Sequence, residues 1–205
     1  MVKKKPHLKI LFPLCLTVIV ALVTVFVVRS YRENQREGKI MESYLTYTGS
    51  NPALDITFQY PPHWKPVESQ GRTERYDDVQ VMGPRNDEAD FGTSVSVTVR
   101  PMGEEDASRL LSEYLKMIGK FSGFKVVKIE DSTIARKSAA RGRYEYVLRL
   151  PYRHINARDV LMREETVFVT KPGKSYRLTF TSTADQFDEY LPVFHRMLKT
   201  FRFTN

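Results

Sequence analysis

The stretch DVLMREETVFVTKPGKSYRLTFTST, residues 159–183, decides the predicted fold. It contains two strand-like runs, residues 159–170 and 175–183, on either side of Lys171-Pro172-Gly173-Lys174. A Pro-Gly pair between two such runs is typical of a hairpin turn. Because so short a connection joins antiparallel neighbours, the sequence predicts an antiparallel sheet.

Further strand patterns lie on both sides of this hairpin. Val95, Val97 and Val99 alternate with polar residues, which is the period of a half-buried strand. We predict the remaining strands at residues 54–60, 78–82, 93–100, 124–135, 139–150 and 201–203.

Two segments have helical spacing instead. Residues 106–119 place Leu111, Leu115 and Ile118 on one stripe. The last helix is predicted to start with a capping box of Thr183 and Gln186, and Pro192 is expected to kink it or delay its start. Strands, helix, strands and helix in this order predict an α+β domain with an antiparallel sheet flanked by helices.

Residues 10–28 form a run of 19 residues without a charge, with lysines or arginines on both sides. As a helix this run would be about 28 Å long, close to the hydrocarbon thickness of a bilayer. A cleaved signal peptide is the alternative, but residues 25–28 are all bulky and offer no cleavage site. The run therefore predicts a single-pass transmembrane anchor.

The anchor divides the chain into four parts. We expect a basic flank at residues 1–9, the anchor at 10–28, a juxtamembrane helix or spacer at 29–49, and the domain at 50–205. The N-terminus is expected in the cytoplasm and the domain on the extracytoplasmic side (periplasm, lumen or cell exterior), because a large domain crosses largely regardless of its charge.

Composition excludes several classes of protein. Of the formal net charge of +8, residues 1–40 carry +6 and residues 41–205 only +2, so the basicity flanks the membrane and indicates no nucleic-acid binding. The single cysteine, Cys15, excludes an intrachain disulfide and a cysteine-based structural zinc site.

The sequence contains no common catalytic motif. Gly173-Lys174-Ser175 is similar to the end of a phosphate-binding loop, but Phe168 occupies the position of its first glycine. His63 and His154 would form a metal site only if the fold brought them together, and no local spacing supports a metal or another cofactor. Glu164 and Glu165 would point to opposite faces of a strand, and we interpret them as solvated surface. The sequence thus predicts no enzyme and no cofactor.

Charge is segregated within the domain. Residues 51–107 have a net charge of −6, and residues 136–163 have a net charge of +6. One interpretation is a solvated hairpin whose arginines pair with acids elsewhere; the other is a docking face for an acidic partner or lipid headgroups. The predicted partner-binding residues are Arg141, Arg143, Arg149, Arg153 and Arg158.

Four aromatic residues are predicted to be structural. Trp64, the only tryptophan, follows Pro61-Pro62, where it serves either as a binding platform or, as we favour, as a plug at the end of the sheet. We assign the other core positions to Tyr60, Phe194 and Phe201.

These residues carry a resemblance to a known family. The heptapeptide FQYPPHW at residues 58–64 resembles the opening of PsbP-like domains. The sequences RYEY at 143–146, SYRLTF at 175–180, and the segment from Tyr190 to FRF at 201–203 are similar to the later strands and terminal helix of that family. The resemblance covers residues 50–205 and implies an α–β–α sandwich.

The resemblance implies a non-enzymatic role. The expected function is an accessory or assembly subunit of a membrane protein complex, photosynthetic or electron-transfer, although an anchor replaces the cleaved transit peptide of PsbP. The alternative is a stand-alone envelope domain that binds a small ligand or a metal ion.

Overall fold

The computed structural model describes residues 44–70, 76–101 and 105–204. The predicted basic flank, the anchor and most of the spacer, residues 1–43, lie outside these ranges. Within the described ranges, no helix is long and apolar enough to span a membrane.

The described residues form ten strands and two helices. In chain order they are β1 (Leu45–Thr48), β2 (Ile56–Tyr60), β3 (Lys65–Gln70), β4 (Asp77–Asn86), β5 (Phe91–Pro101), α1 (Ala107–Ile118), β6 (Lys125–Ile134), β7 (Lys137–Leu150), β8 (Arg158–Lys171), β9 (Lys174–Thr183), α2 (Phe187–Thr200) and β10 (Arg202–Phe203). The large sheet has the order β3-β4-β5-β9-β8-β7-β6, and the small sheet has the order β1-β2-β10. All paired strands are antiparallel, which confirms the predicted α+β class.

The hairpin predicted from residues 159–183 lies in the middle of the large sheet. Lys171 pairs with Lys174, which leaves Pro172 and Gly173 as the turn. Gly173 has a φ of +79°, a conformation that glycine adopts without steric cost. β8 also pairs with β7, and β9 pairs with β5, so the hairpin has a neighbouring strand on each side. Its side chains alternate between the two faces of the sheet.

Each helix covers a different face of the large sheet. On one face, α1 packs Leu111 against Ala140 and Phe168. On the other face, α2 packs Phe187 and Phe194 against Phe180 of β9. The small sheet joins this second face, where its side chains share one core with the valines of β5. The layers are therefore helix, sheet, and helix with the small sheet.

The two helix starts differ from each other. Asp106 caps α1 by accepting a hydrogen bond from the Arg109 backbone N–H at 2.6 Å. The capping box predicted from Thr183 and Gln186 is wrong, because Thr183 still belongs to β9 and pairs with Met162. Gln186 is the N-cap of α2 without a side-chain capping bond, and Pro192 lies inside the helix.

A strand lies before the predicted domain boundary near residue 49. β1 pairs with β2, and its Tyr47 stacks on Phe58 with ring centroids 4.7 Å apart. The Tyr47 hydroxyl donates to Glu68 of β3 at 2.8 Å, and Glu68 also accepts from the Ser50 hydroxyl at 2.8 Å. These contacts join β1 to both sheets, so the domain begins at Leu45.

Candidate functional site

Two of the predicted docking arginines form an ion-pair cluster on the α2 face of the large sheet. The β7–β8 register places Arg143 opposite Glu165. Arg143 Nε donates to one oxygen of the Glu165 carboxylate at 2.8 Å, and Arg141 Nε donates to the other at 2.9 Å. His195 of α2 brings its Nε2 within 3.2 Å of the same carboxylate. This Glu165 cluster joins β7, β8 and α2.

The cluster determines the ionisation of Glu165. Burial alone would raise the pKa of this carboxyl, but hydrogen bonds from His195, Arg143 and Arg141 outweigh burial and lower the pKa to about 2. Removal of the carboxylate would leave two guanidinium groups facing each other, so its charge is required at neutral pH.

Glu164 lies on the opposite face, under α1, in a different environment. Tyr114 donates to its carboxylate at 2.8 Å and Tyr146 at 2.9 Å, and the Tyr144 hydroxyl is a third donor. Burial and the charge of Glu164 raise the pKa of all three tyrosines well above its ordinary value, so they stay protonated donors. We call these four residues the Glu164 cluster. Its tyrosine hydroxyls provide the hydrogen bonds that the buried carboxylate needs.

The interpretation of Glu164 and Glu165 as solvated surface is wrong. Their side chains do point to opposite faces, but residue exposure is only 5% for Glu164 and 1% for Glu165. The reason is that β8 is a central strand of the large sheet with a helix packed over each face at Glu164 and Glu165, so neither face is open to solvent at these two residues.

The other three predicted docking arginines lie around the connection between β7 and β8. Arg149 Nε donates to the Ala157 carbonyl at 3.3 Å. The Arg153 guanidinium lies 5.2 Å from the ring centroid of Tyr152. Arg158 meets Glu88 at 3.3 Å, and both of these side chains are exposed. These arginines therefore present their charge to solvent, in contrast to Arg141 and Arg143.

Residues 151–157, which we call the β7–β8 tip, also carry the most exposed apolar side chains of the described domain. Ile155 is 93% exposed and Tyr152 is 75% exposed. The tip is held by its own backbone, since His154 N–H donates to the Pro151 carbonyl at 3.2 Å and Ala157 N–H donates to the His154 carbonyl at 3.1 Å. An aromatic, an aliphatic and a cationic side chain are thus displayed on one ordered turn.

A cavity of about 190 Å³ lies beside the Glu164 cluster, between α1 and the sheet. Tyr114 belongs to both, because it lines the cavity and donates to Glu164. The cavity, which we call the α1 pocket, is lined by Thr98, Arg100, Leu110, Glu113, Tyr114, Met117, Phe168, Ser175 and Arg177.

Comparison with known proteins identifies the fold. No protein-family model and no curated protein sequence matches the chain. The solution structure of cyanobacterial PsbP from Synechocystis matches with a TM-score of 0.51 and 16% identity, over 78% of this chain and 92% of that one. LpqN of Mycobacterium tuberculosis, a protein involved in cell envelope biogenesis, matches with a TM-score of 0.54 and 12% identity, over 80% of this chain and 94% of that one. The domain has a PsbP-like fold.

Within the PsbP-like domain, the four aromatic residues assigned to structure lie in or against the main core. Trp64 is 2% exposed, and a β-carbon on Gly83 would lie 2.6 Å from its indole ring. Phe194 and Phe201 are fully buried, and Tyr60 packs at the edge of the same core. Gly83 therefore provides the space that the indole needs.

The histidines of the PsbP-like domain occupy different environments. His63 and His154 are both exposed, whereas His195 belongs to the Glu165 cluster. Among the residues that the structure describes, no group of three His, Cys, Asp or Glu side chains could hold a metal ion.

The sequence alone does not reveal the Glu164 cluster or the α1 pocket. Thr166 is a near neighbour of Glu164, but its other partners come from residues 114, 144, 146 and 181, so local spacing does not reveal the cluster. One signal was present: Tyr144 and Tyr146 alternate along β7 with charged residues, which places two hydroxyls on one buried face.

Proposed function

We propose that this chain is a non-catalytic, membrane-anchored accessory or assembly subunit of a membrane protein complex, photosynthetic or electron-transfer. Residues 10–28 are the anchor, the N-terminus is cytoplasmic, and the PsbP-like domain is extracytoplasmic. The observation that carries the proposal is the β7–β8 tip, which displays Tyr152 and Ile155 among exposed arginines.

The composition of the tip suits a protein interface. Tyrosine and arginine are enriched among the residues that dominate binding energy, and Arg153 is already stacked on Tyr152. Burial of an aliphatic side chain such as Ile155 contributes roughly 1.5–3 kcal/mol. An acidic partner surface with an apolar depression would complement these groups.

The contacts divide the predicted docking arginines into two groups. Arg141 and Arg143 share the Glu165 carboxylate, and their task is to join the sheet to α2. We assign docking to Arg149, Arg153 and Arg158, whose charges surround the tip.

The fold relatives support an envelope location. LpqN takes part in cell envelope biogenesis, and the Synechocystis relative is a cyanobacterial PsbP. An anchor would keep the domain at a high local concentration near a membrane partner, which compensates for a weak docking surface.

Co-purification of the full chain from mild detergent tests the proposal. Tyr152→Ser with Ile155→Ser should abolish recovery of the partner complex without a change in melting temperature, because both side chains are exposed. The matched control is Val127→Ser with Ile129→Ser, which removes two exposed apolar side chains from the edge strand β6 and should leave recovery intact.

Full recovery of the complex by the folded tip variant would refute docking through the tip. Recovery of the wild-type chain only as a monomer with a bound small molecule would favour the alternative function, a stand-alone envelope domain. The α1 pocket is the observation that favours this alternative.

A further inference from the structure

The α1 pocket contains a cation, Arg177, that no described carboxylate pairs with. Arg177 Nη2 donates to the Thr98 hydroxyl at 3.3 Å, and its guanidinium lies 4.8 Å from the ring centroid of Tyr114. Its Nε is buried and has no hydrogen-bond partner among the described residues. A buried N–H donor without an acceptor is costly, so this atom marks a place where an acceptor belongs.

A second guanidinium reaches the same pocket. The β5–β9 register pairs Arg100 with Ser175 and Thr98 with Arg177, so all four side chains share one face of the sheet. Arg100 and Arg177 are diagonal neighbours, a relation in which Cβ atoms lie roughly 7–8 Å apart. One small anion placed between these arginines would contact both.

The charge of the lining favours an anion. The lining contains two arginines and one acid, Glu113. Arg109 Nε donates to Glu113 at 3.1 Å, so this acid is already paired and the two guanidinium groups remain to bind an anion. The hydroxyls of Thr98 and Ser175 add polar groups beside the arginines.

The remaining walls of the pocket are apolar. They are Leu110 and Met117 of α1 and Phe168 of β8, whose ring centroid lies 5.7 Å from that of Tyr114. The volume of the cavity is about 190 Å³. The pocket thus combines a cationic end with an apolar body of a size that suits a short organic acid.

We propose that the α1 pocket binds a small organic monocarboxylate with a compact apolar or aromatic body. The carboxylate accepts from Arg177 Nε and from Arg100, and the body lies against Phe168 and Met117. This site is separate from the β7–β8 tip, so it stands or falls independently of the docking proposal.

Ligand-detected ¹⁹F NMR with 4-fluorobenzoate and the full chain in detergent tests the site. The signal should broaden with protein, and unlabelled benzoate should reverse the broadening. Two compounds should fail to reverse the broadening: benzyl alcohol, which lacks the charge, and inorganic phosphate, which lacks the apolar body. Equal competition by benzyl alcohol would overturn the carboxylate assignment, and the absence of broadening at millimolar ligand would overturn the site.

Substitutions of the pocket arginines test whether 4-fluorobenzoate binds in the α1 pocket. Arg177→Met should weaken 4-fluorobenzoate binding at least tenfold. Arg100→Met should also weaken the binding of 4-fluorobenzoate. Because Arg100 is exposed, this variant should fold even if Arg177→Met does not fold. Arg136→Met, which removes an exposed arginine from the β6–β7 turn, is the control and should bind like the wild type. Unchanged binding by folded Arg100→Met and Arg177→Met proteins would refute the proposal.

Discussion

Replacement of Glu165 by Gln should destabilise the domain in a pH-dependent way. The folded structure lowers the pKa of Glu165 from its ordinary value of 4.5 to about 2, a difference of about 2.5 pH units. At 1.36 kcal/mol per unit, the charge of Glu165 contributes about 3 kcal/mol to the free energy of unfolding at neutral pH. Glu165→Gln removes this contribution, because the amide keeps the shape of the side chain but not its charge.

The sign of the pH dependence follows from the lowered pKa. The contribution is fully present above pH 4.5, the value expected for the unfolded chain, and is lost as pH falls towards 2. Urea unfolding from pH 7 to pH 3, followed by the fluorescence of buried Trp64, measures it. The gap between wild type and Glu165→Gln should be about 3 kcal/mol at pH 7 and should narrow below pH 4.5.

A surface ion pair serves as the control for this measurement. Glu88 pairs with Arg158 at 3.3 Å, and both side chains are exposed, so Glu88→Gln should cost less than about 1 kcal/mol at every pH. A Glu165→Gln gap that stays constant from pH 7 to pH 3, or one no larger than that of Glu88→Gln, would show that the Glu165 charge does not stabilise the fold.

Two further predictions concern the core and the membrane. Trp64→Ala should lower the free energy of unfolding by about 3–5 kcal/mol in urea titrations followed by circular dichroism, because the indole fills the space beside Gly83; a stable variant that has lost its partner would instead make Trp64 a binding residue. The full chain should stay in membranes after alkaline carbonate washing if residues 10–28 are the anchor, and a mature N-terminus near residue 30 would contradict this.

The sequence predicted the elements whose patterns are local. The alternation in residues 93–100 corresponds to β5, and the helical stripe after Asp106 corresponds to α1. β1 and β3 escaped prediction because they are short and polar, and β3 also contains Pro66, which is tolerated on an edge strand. Each of these strands is stabilised by pairing with a neighbour rather than by its own pattern.

The candidate site was less predictable than the fold. The alternation of β7 indicated that Arg143 and Arg149 share a face, but not that a carboxylate lies opposite Arg143. The Arg177 guanidinium is held by Thr98 and Tyr114, which are far from it in sequence, so the sequence does not reveal that its Nε is buried without a described partner. Burial of charge is a tertiary property, and hydrophobic periodicity carries no information about it.

The adjacent carboxylates of β8 also protect the domain against mispaired folding. If β8 slipped by one residue in either direction, every side chain of the strand would move to the other face. One slip would place Thr166 between Arg141 and Arg143, and the opposite slip would place Arg163 among the tyrosines under α1. In the first case Arg141 and Arg143 would lose their carboxylate, and in the second Arg163 would be buried without one, so both pairings would cost free energy relative to the native pairing.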